Sequence, residues 1–297
     1  MDMNRENKKT KIRKEEPPFP KQDQETPGQE SKMKPKPDHG EDSYKGNNVL
    51  LNKKVIITGG DSGIGKAVAI AFAREGADVM LVYESEKERK DARDTQDWVE
   101  KAGREAILCE GDIRSTDFCK QVVDKAVESW GEIDILINNA AYQMTYKTFE
   151  EISAEEWLKT FDTNVHAMFY FCQYALPYLS ETGTIINTSS INAYDPNPTL
   201  LPYALTKGVI KNFSYALNAL LHSEGKKIRV NCVAPGPVWT PLIPSTIPEH
   251  EDFGKDNPMG RPAQPAELAP SYVFLASSIS SYIAGACIPV TGGRNTL

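Results

Sequence analysis

From Lys53 onward, short apolar runs rich in Val and Ile alternate with longer segments of helical period. The runs occupy residues 55–58, 79–83, 106–109, 133–138, 184–188, 228–233 and 287–290. Strands apolar along nearly their whole length need cover on both faces, and each gap is long enough for a helical crossover. The alternation therefore predicts parallel βαβ units. Seven such strands predict a single α/β domain over residues 49–297, built on a doubly wound parallel sheet that binds ligands at the carboxyl ends of its strands. The sequence shows no internal repeat and no second domain.

Residues 1–48 are different. They hold six prolines and eleven Lys/Arg against ten Asp/Glu, with almost no aliphatic side chains before Val49. So polar a segment buries too little apolar surface to offset its ordering entropy, which predicts a solvated tail. The other reading is an extended arm lying on the domain or on a neighbouring subunit, anchored by Pro17, Pro18, Phe19 and Pro20.

The chain's formal charge of −7 argues against a general nucleic-acid binder, which carries a basic face. No apolar run reaches membrane-spanning length, and the polar N-terminus has no secretory core, so a cytoplasmic protein is expected. Cys109, Cys119, Cys172, Cys232 and Cys287 are scattered without a CxxC, which reads as reduced thiols. The four histidines make no metal-ligand spacing, and no metal site is expected.

Directly after the first strand comes Thr58-Gly59-Gly60-Asp61-Ser62-Gly63-Ile64-Gly65-Lys66, and then a helical run over 67–74. Glycines at 59, 63 and 65 allow a tight turn, close approach of backbone amides to a pyrophosphate, and close helix–sheet packing. The helix N-terminus adds partial positive charge. The pattern is GxxxGxG rather than GxGxxG, and its place between strand and helix makes it a dinucleotide site. Glu84 closes the second strand, nineteen residues after Gly65, where an acidic side chain can accept hydrogen bonds from a ribose 2′-hydroxyl and repel a 2′-phosphate. NAD is therefore expected over NADP, although Lys87 and Arg89 lie nearby and Glu84 also reads as a solvated turn residue. Asp112, after the third strand, meets the adenine or else caps the following turn.

Tyr203 and Lys207 lie four residues apart in a stretch of helical period over 203–222, so both project from one face. An ammonium beside a tyrosine favours its phenolate and makes it a usable proton donor and acceptor. Ser190 ends the fifth strand thirteen residues upstream, and Asn164 sits in Asp162-Thr163-Asn164-Val165. With the glycine turn, Asn138-Asn139-Ala140, Pro235-Gly236 and Gly292-Gly293, this set resembles the short-chain dehydrogenase/reductase family from about residue 50 to the C-terminus. The N-terminal extension is similar to that of a bacterial branch labelled general stress or glucose/ribitol-dehydrogenase-like proteins.

The resemblance implies a Rossmann-type catalytic domain. It makes Tyr203 the general acid/base, Ser190 the hydrogen-bond donor to the reacting oxygen, and Lys207 both a modulator of Tyr203 and a ligand of the nicotinamide ribose. It gives Asn164 a water that links Lys207 to solvent. It also places Gly59, Ser62, Gly63, Ile64, Gly65, Tyr83, Glu84, Asp112, Ile113, Asn139, Ala140, Ala141, Pro235, Gly236, Val238 and Thr240 against the cofactor. Ala141 and Thr291 depart from the family, where glycine and aspartate are usual.

The leading reading is thus an oxidoreductase moving hydride between NAD and a small alcohol, polyol, sugar or carbonyl. An NADP-linked carbonyl or 3-oxoacyl reductase is the alternative enzyme, and an NAD-binding sensor or scaffold the alternative of another class. Tyr142, Gln143, Asn192 and Tyr194 lean toward a small hydroxylated substrate, with 237–262 as a mobile lid. The stretches 165–179 and 203–221 carry more apolar residues than one buried stripe needs, which predicts a homotetramer. On the second stretch, Leu205, Val209, Ala216 and Leu220 are expected to face the sheet, with Ile210, Phe213, Leu217 and Leu221 as the outer stripe.

Overall fold

The structure is a computed structural model that describes residues 11–296. All seven expected strands form: β1 Lys54–Thr58, β2 Asp78–Tyr83, β3 Ala106–Glu110, β4 Ile133–Asn138, β5 Leu179–Thr188, β6 Arg229–Pro235 and β7 Cys287–Val290. They make one sheet in the order β3-β2-β1-β4-β5-β6-β7, with every pairing parallel. The order reverses direction between β1 and β4, so a crevice opens there beyond the carboxyl ends of the strands.

Helices cover both faces. They are α1 Gly63–Arg74, α2 Arg89–Lys101, α3 Thr116–Trp130, α4 Ala154–Phe161, α5 Ala167–Ala175, α6 Leu201–Ser223, α7 Leu242–Thr246 and α8 Pro265–Ala276. Start signals in the sequence explain several of them. Ser115 and Ser153 accept N–H bonds from Phe118 and Glu156, and Gln264 with Glu267 makes a reciprocal cap on α8. One core cluster joins α1 and α8 to the sheet through Val68, Phe72, Ile57 and Leu268, and a second packs α3, α5 and α6 on the other face. Between α4 and α5 the helix widens into a π turn, Asp162–His166, centred on the buried Asn164.

Three expectations need correction. On α6 the apolar stripes are exchanged: Ile210 and Leu221 are buried, with Phe213 and Leu217 packed beside them, while Leu205, Val209, Ala216 and Leu220 are exposed. Tyr203 and Lys207 must point into the crevice, and the residues one turn on from them therefore share the buried face. Cys232 and Cys287, register partners on β6 and β7, are joined as a disulfide, so only Cys109, Cys119 and Cys172 are free.

The third correction concerns the N-terminal segment, which is docked rather than solvated. Phe19 is 3% exposed and stacks on Trp239 with ring centroids 4.0 Å apart, and with Met33 and Ile243 they form a separate small core. Apolar surface for docking is concentrated in two side chains, which a composition average hides. No helix among the described residues is long and apolar enough to cross a membrane.

Candidate active site

A cavity of about 730 Å³ lies at the crevice beyond the strand ends. Of the catalytic, cofactor and substrate residues named from the sequence, all line it except Gly65, Asn164 and Tyr194. At one end, β5 delivers Thr188, Ser189 and Ser190, and α6 delivers Tyr203 in its first turn and Lys207 one turn later. Pro202 in that first turn has no N–H to satisfy, which suits the start of a helix at the cavity wall.

The side chains here are tightly specified. Lys207 is 1% exposed, and its ammonium donates to the Thr188 carbonyl at 2.8 Å. The Ser189 hydroxyl donates to the Lys207 carbonyl at 2.8 Å, clamping α6 to the end of β5. Ser190 accepts the Asn192 backbone and side-chain N–H groups at 3.2 and 3.3 Å, and both Ser190 and Tyr203 line the cavity.

Burial pushes the Tyr203 phenol up to about 12, against the opposing effect of Ser190. Burial also holds Lys207 down at about 7. The expected lowering of the tyrosine by the lysine is therefore absent from the protein's own groups. The ammonium lies 5.2 Å from the Tyr203 ring centroid and spends itself on a carbonyl, so desolvation outweighs the pairing.

The Asn164 side chain is held by its neighbours. It accepts the Tyr142 N–H at 2.7 Å and donates to the Tyr142 carbonyl at 2.8 Å and to Thr206 at 3.0 Å, so its amide braces the chain after β4. A small cavity of about 10 Å³, the room of roughly one water, lies between Asn164 and Thr188.

At the other end of the large cavity stands the glycine turn. A Cβ on Gly65 would lie 1.8 Å from the Gly59 carbonyl oxygen, so only glycine lets α1 begin this close to the turn. Asn139 fastens that turn to β4, its amide donating to the Thr58 and Gly59 carbonyls at 3.2 Å each. Thr58 accepts the Asn139 and Ala140 N–H groups at 2.9 and 3.1 Å. Thr240 packs on Gly63 from the far side of the cleft.

Comparison with known proteins now decides the family. A short-chain dehydrogenase/reductase model described as enoyl-(acyl carrier protein) reductase matches residues 59–295. The chain belongs to the short-chain dehydrogenase/reductase family. It is 47% identical over 270 residues to general stress protein 39 of Bacillus subtilis, covering 90% of this chain and 93% of that one. It is also 47% identical over 282 residues to glucose and ribitol dehydrogenase of Daucus carota, covering 93% and 96%. Among solved structures, a short chain dehydrogenase from Burkholderia cenocepacia in complex with NADP superposes with a TM-score of 0.76 at 28% identity, covering 82% of this chain and 98% of that one. A 3-ketoacyl-(acyl-carrier-protein) reductase from Brucella melitensis complexed with NADH superposes with a TM-score of 0.75 at 30% identity, covering 82% and 99%.

Against that family pattern, Thr291 donates to the Arg294 carbonyl at 2.9 Å, and its backbone packs against Gly236. Ala141 lines the cavity in place of the usual glycine. Asp112 engages Arg114 through both carboxylate oxygens and also accepts its backbone N–H, so the turn-capping reading describes it and its charge is already paired. Gln143 is buried and donates to Thr246 at 2.8 Å, fixing α7.

Residues missed in the sequence stand beside Glu84, which is exposed. Asp61 and Glu88 line the same end of the cavity, and both are buried. Burial raises both carboxyls; the Asp61 charge adds to the effect on Glu88, while Ser62 opposes it at Asp61. One oxygen of Asp61 has no hydrogen-bond partner among the described residues. Asp61 lies inside the glycine motif itself, so its position was visible; its inward orientation was not.

Proposed function

We propose that this chain transfers hydride between NAD and a small alcohol, polyol or sugar, or the corresponding carbonyl. The observation that carries the reading is the convergence of Ser190, Tyr203 and Lys207 at one end of a cavity whose other end is a glycine turn. The cavity fits a dinucleotide: its turn admits backbone amides where a Cβ would collide, and Asp61, Glu84 and Asp112 line the adenosine end. The nicotinamide, when bound, supplies or accepts the hydride.

The protein's own residues handle the proton. With a phenol near 12, Tyr203 carries its proton at neutral pH and is ready to give it to a carbonyl oxygen. Ser190 donates to the same oxygen as charge develops there. Lys207, near 7, exchanges protons readily, and the small cavity by Asn164 and Thr188 suits a water on its path to solvent. Asp61 and Glu84 at the adenosine end favour NAD over a cofactor with a 2′-phosphate, whereas Glu88, raised to about 9, is neutral at pH 7.

Polar Asn192 and Asn197 at the substrate end favour a hydroxylated substrate, as in the carrot relative's name. Leu242, Ile247 and Phe253 on the same cavity favour the second reading, a 3-oxoacyl or other carbonyl reductase. We place the enzyme in the cytoplasm as a homotetramer, its exposed α6 stripe (Leu205, Val209, Leu220) paired with another subunit.

Turnover of a panel of alcohols, polyols, sugars and aldehydes with both cofactors tests the substrate class. Tyr203→Phe tests the mechanism. It should keep NADH affinity and lose nearly all turnover, and activity within about tenfold of wild type refutes the proton-transfer role.

A further inference from the structure

The arm that precedes the catalytic domain crosses the cleft and is bonded to both of its lips. On one lip, Glu30 takes the Gly63 N–H of the glycine turn at 3.1 Å, with Lys66 at 2.6 Å and His39 at 2.7 Å. On the other, Phe19 stacks on Trp239, whose indole N–H donates to the Pro35 carbonyl at 2.9 Å. The Phe19 and Gln24 N–H groups reach the carbonyls of Glu251 and Pro244 at 2.7 and 3.2 Å. Between these anchors, Thr26, Pro27 and Gly28 line the same cavity as Tyr203. A Cβ on Gly28 would lie 2.2 Å from the Pro241 carbonyl oxygen, so the arm's backbone lies in direct contact with the segment after β6.

We propose that the arm is the third wall of the dinucleotide site: Thr26–Gly28 lie across the bound cofactor, which leaves only when the arm lifts. This rests on the dinucleotide reading of the cavity.

The docking is specific. Glu30 is buried, and burial alone would raise its pKa; His39 and Lys66 outweigh that and hold it at about 2. A buried carboxylate is tolerated only with such partners, and two of them, Gly63 and Lys66, belong to the turn and to α1. The arm is therefore seated by the cofactor turn itself. The segment after β6, read from sequence as a free lid, is strapped through Trp239. Opening it breaks the Phe19 stack and the hydrogen bonds along the arm together.

Hydrogen exchange on the full-length wild-type chain tests this, because a ligand enclosed by the arm must stabilise the closed arm. Saturating NADH should slow exchange in peptides covering 17–35 by about tenfold, together with those covering the glycine turn. Slowing at the turn with no change in 17–35 overturns the third wall while leaving the dinucleotide reading intact. No slowing at either place overturns both.

Release kinetics give an independent check. Phe19→Ala and Glu30→Gln should speed NADH release, followed by stopped-flow fluorescence, by about tenfold. Release within twofold of wild type in a variant whose arm exchanges freely also overturns it.

Discussion

The Asn192 amide is locked at both ends: its oxygen receives the Asn197 N–H at 2.8 Å, and its nitrogen donates to Ser190 Oγ at 3.3 Å. The Asn197 bond decides which end of the amide faces Ser190. Since Ser190 already accepts from Asn192 twice, its own proton is directed outward, toward Tyr203 and the reacting oxygen.

Asn192→Asp replaces that donor with an acceptor that competes for the Ser190 proton. It should lower kcat by about tenfold or more with little change in cofactor affinity, as read from steady-state kinetics and NADH titration. An unchanged kcat would show that Ser190 orients itself.

Lys207 is a buried amine whose function costs stability. Its folded pKa, about 7, lies below the usual 10.5 of the unfolded chain, so the penalty is full below about pH 7 and fades as pH rises toward 10.5. The shift corresponds to about 5 kcal/mol as an upper figure, less the hydrogen bond to Thr188. Lys207→Met should be inactive yet melt higher than wild type at pH 6, with the gain shrinking toward pH 9. A lower Tm at pH 6 would mean that the Thr188 bond outweighs desolvation.

The cofactor preference should follow Asp61 more than Glu84, because Glu84 is exposed and screened while Asp61 is buried with an unpaired oxygen. NAD should bind about tenfold or more tightly than NADP. Glu84→Ser should narrow the gap by about threefold and Asp61→Ser by about tenfold, measured by fluorescence titration. Burial raises the Asp61 carboxyl to about 7, so lowering the pH through the neutral range protonates it and should also narrow the gap. An equal or reversed preference in the wild type rejects the assignment.

The exposed α6 stripe predicts the assembly. Leu220, 55% exposed, and Leu205, 48% exposed, lie on a helix face that no other element among the described residues covers in full. Leu220→Glu should reduce the mass seen by light scattering from that of a tetramer. A monomeric wild type refutes the assembly outright.

The strands, their parallel order of connection, the glycine turn and the Tyr203–Lys207 pair were all legible in the sequence. Each is carried by spacing along the chain: period two or continuous in strands, three to four in helices, and glycines where a Cβ cannot fit. The seating of residues 17–39 was not legible, because it depends on Glu30 meeting Gly63 and Phe19 meeting Trp239 across long stretches of chain. The rotation of α6, the Cys232–Cys287 pairing and the inward turn of Asp61 likewise follow from what packs beside them. The low pKa of Lys207 belongs with these. The sequence puts an ammonium one helical turn from a tyrosine, but only the tertiary structure removes the water around both, and that loss of solvation decides their protonation.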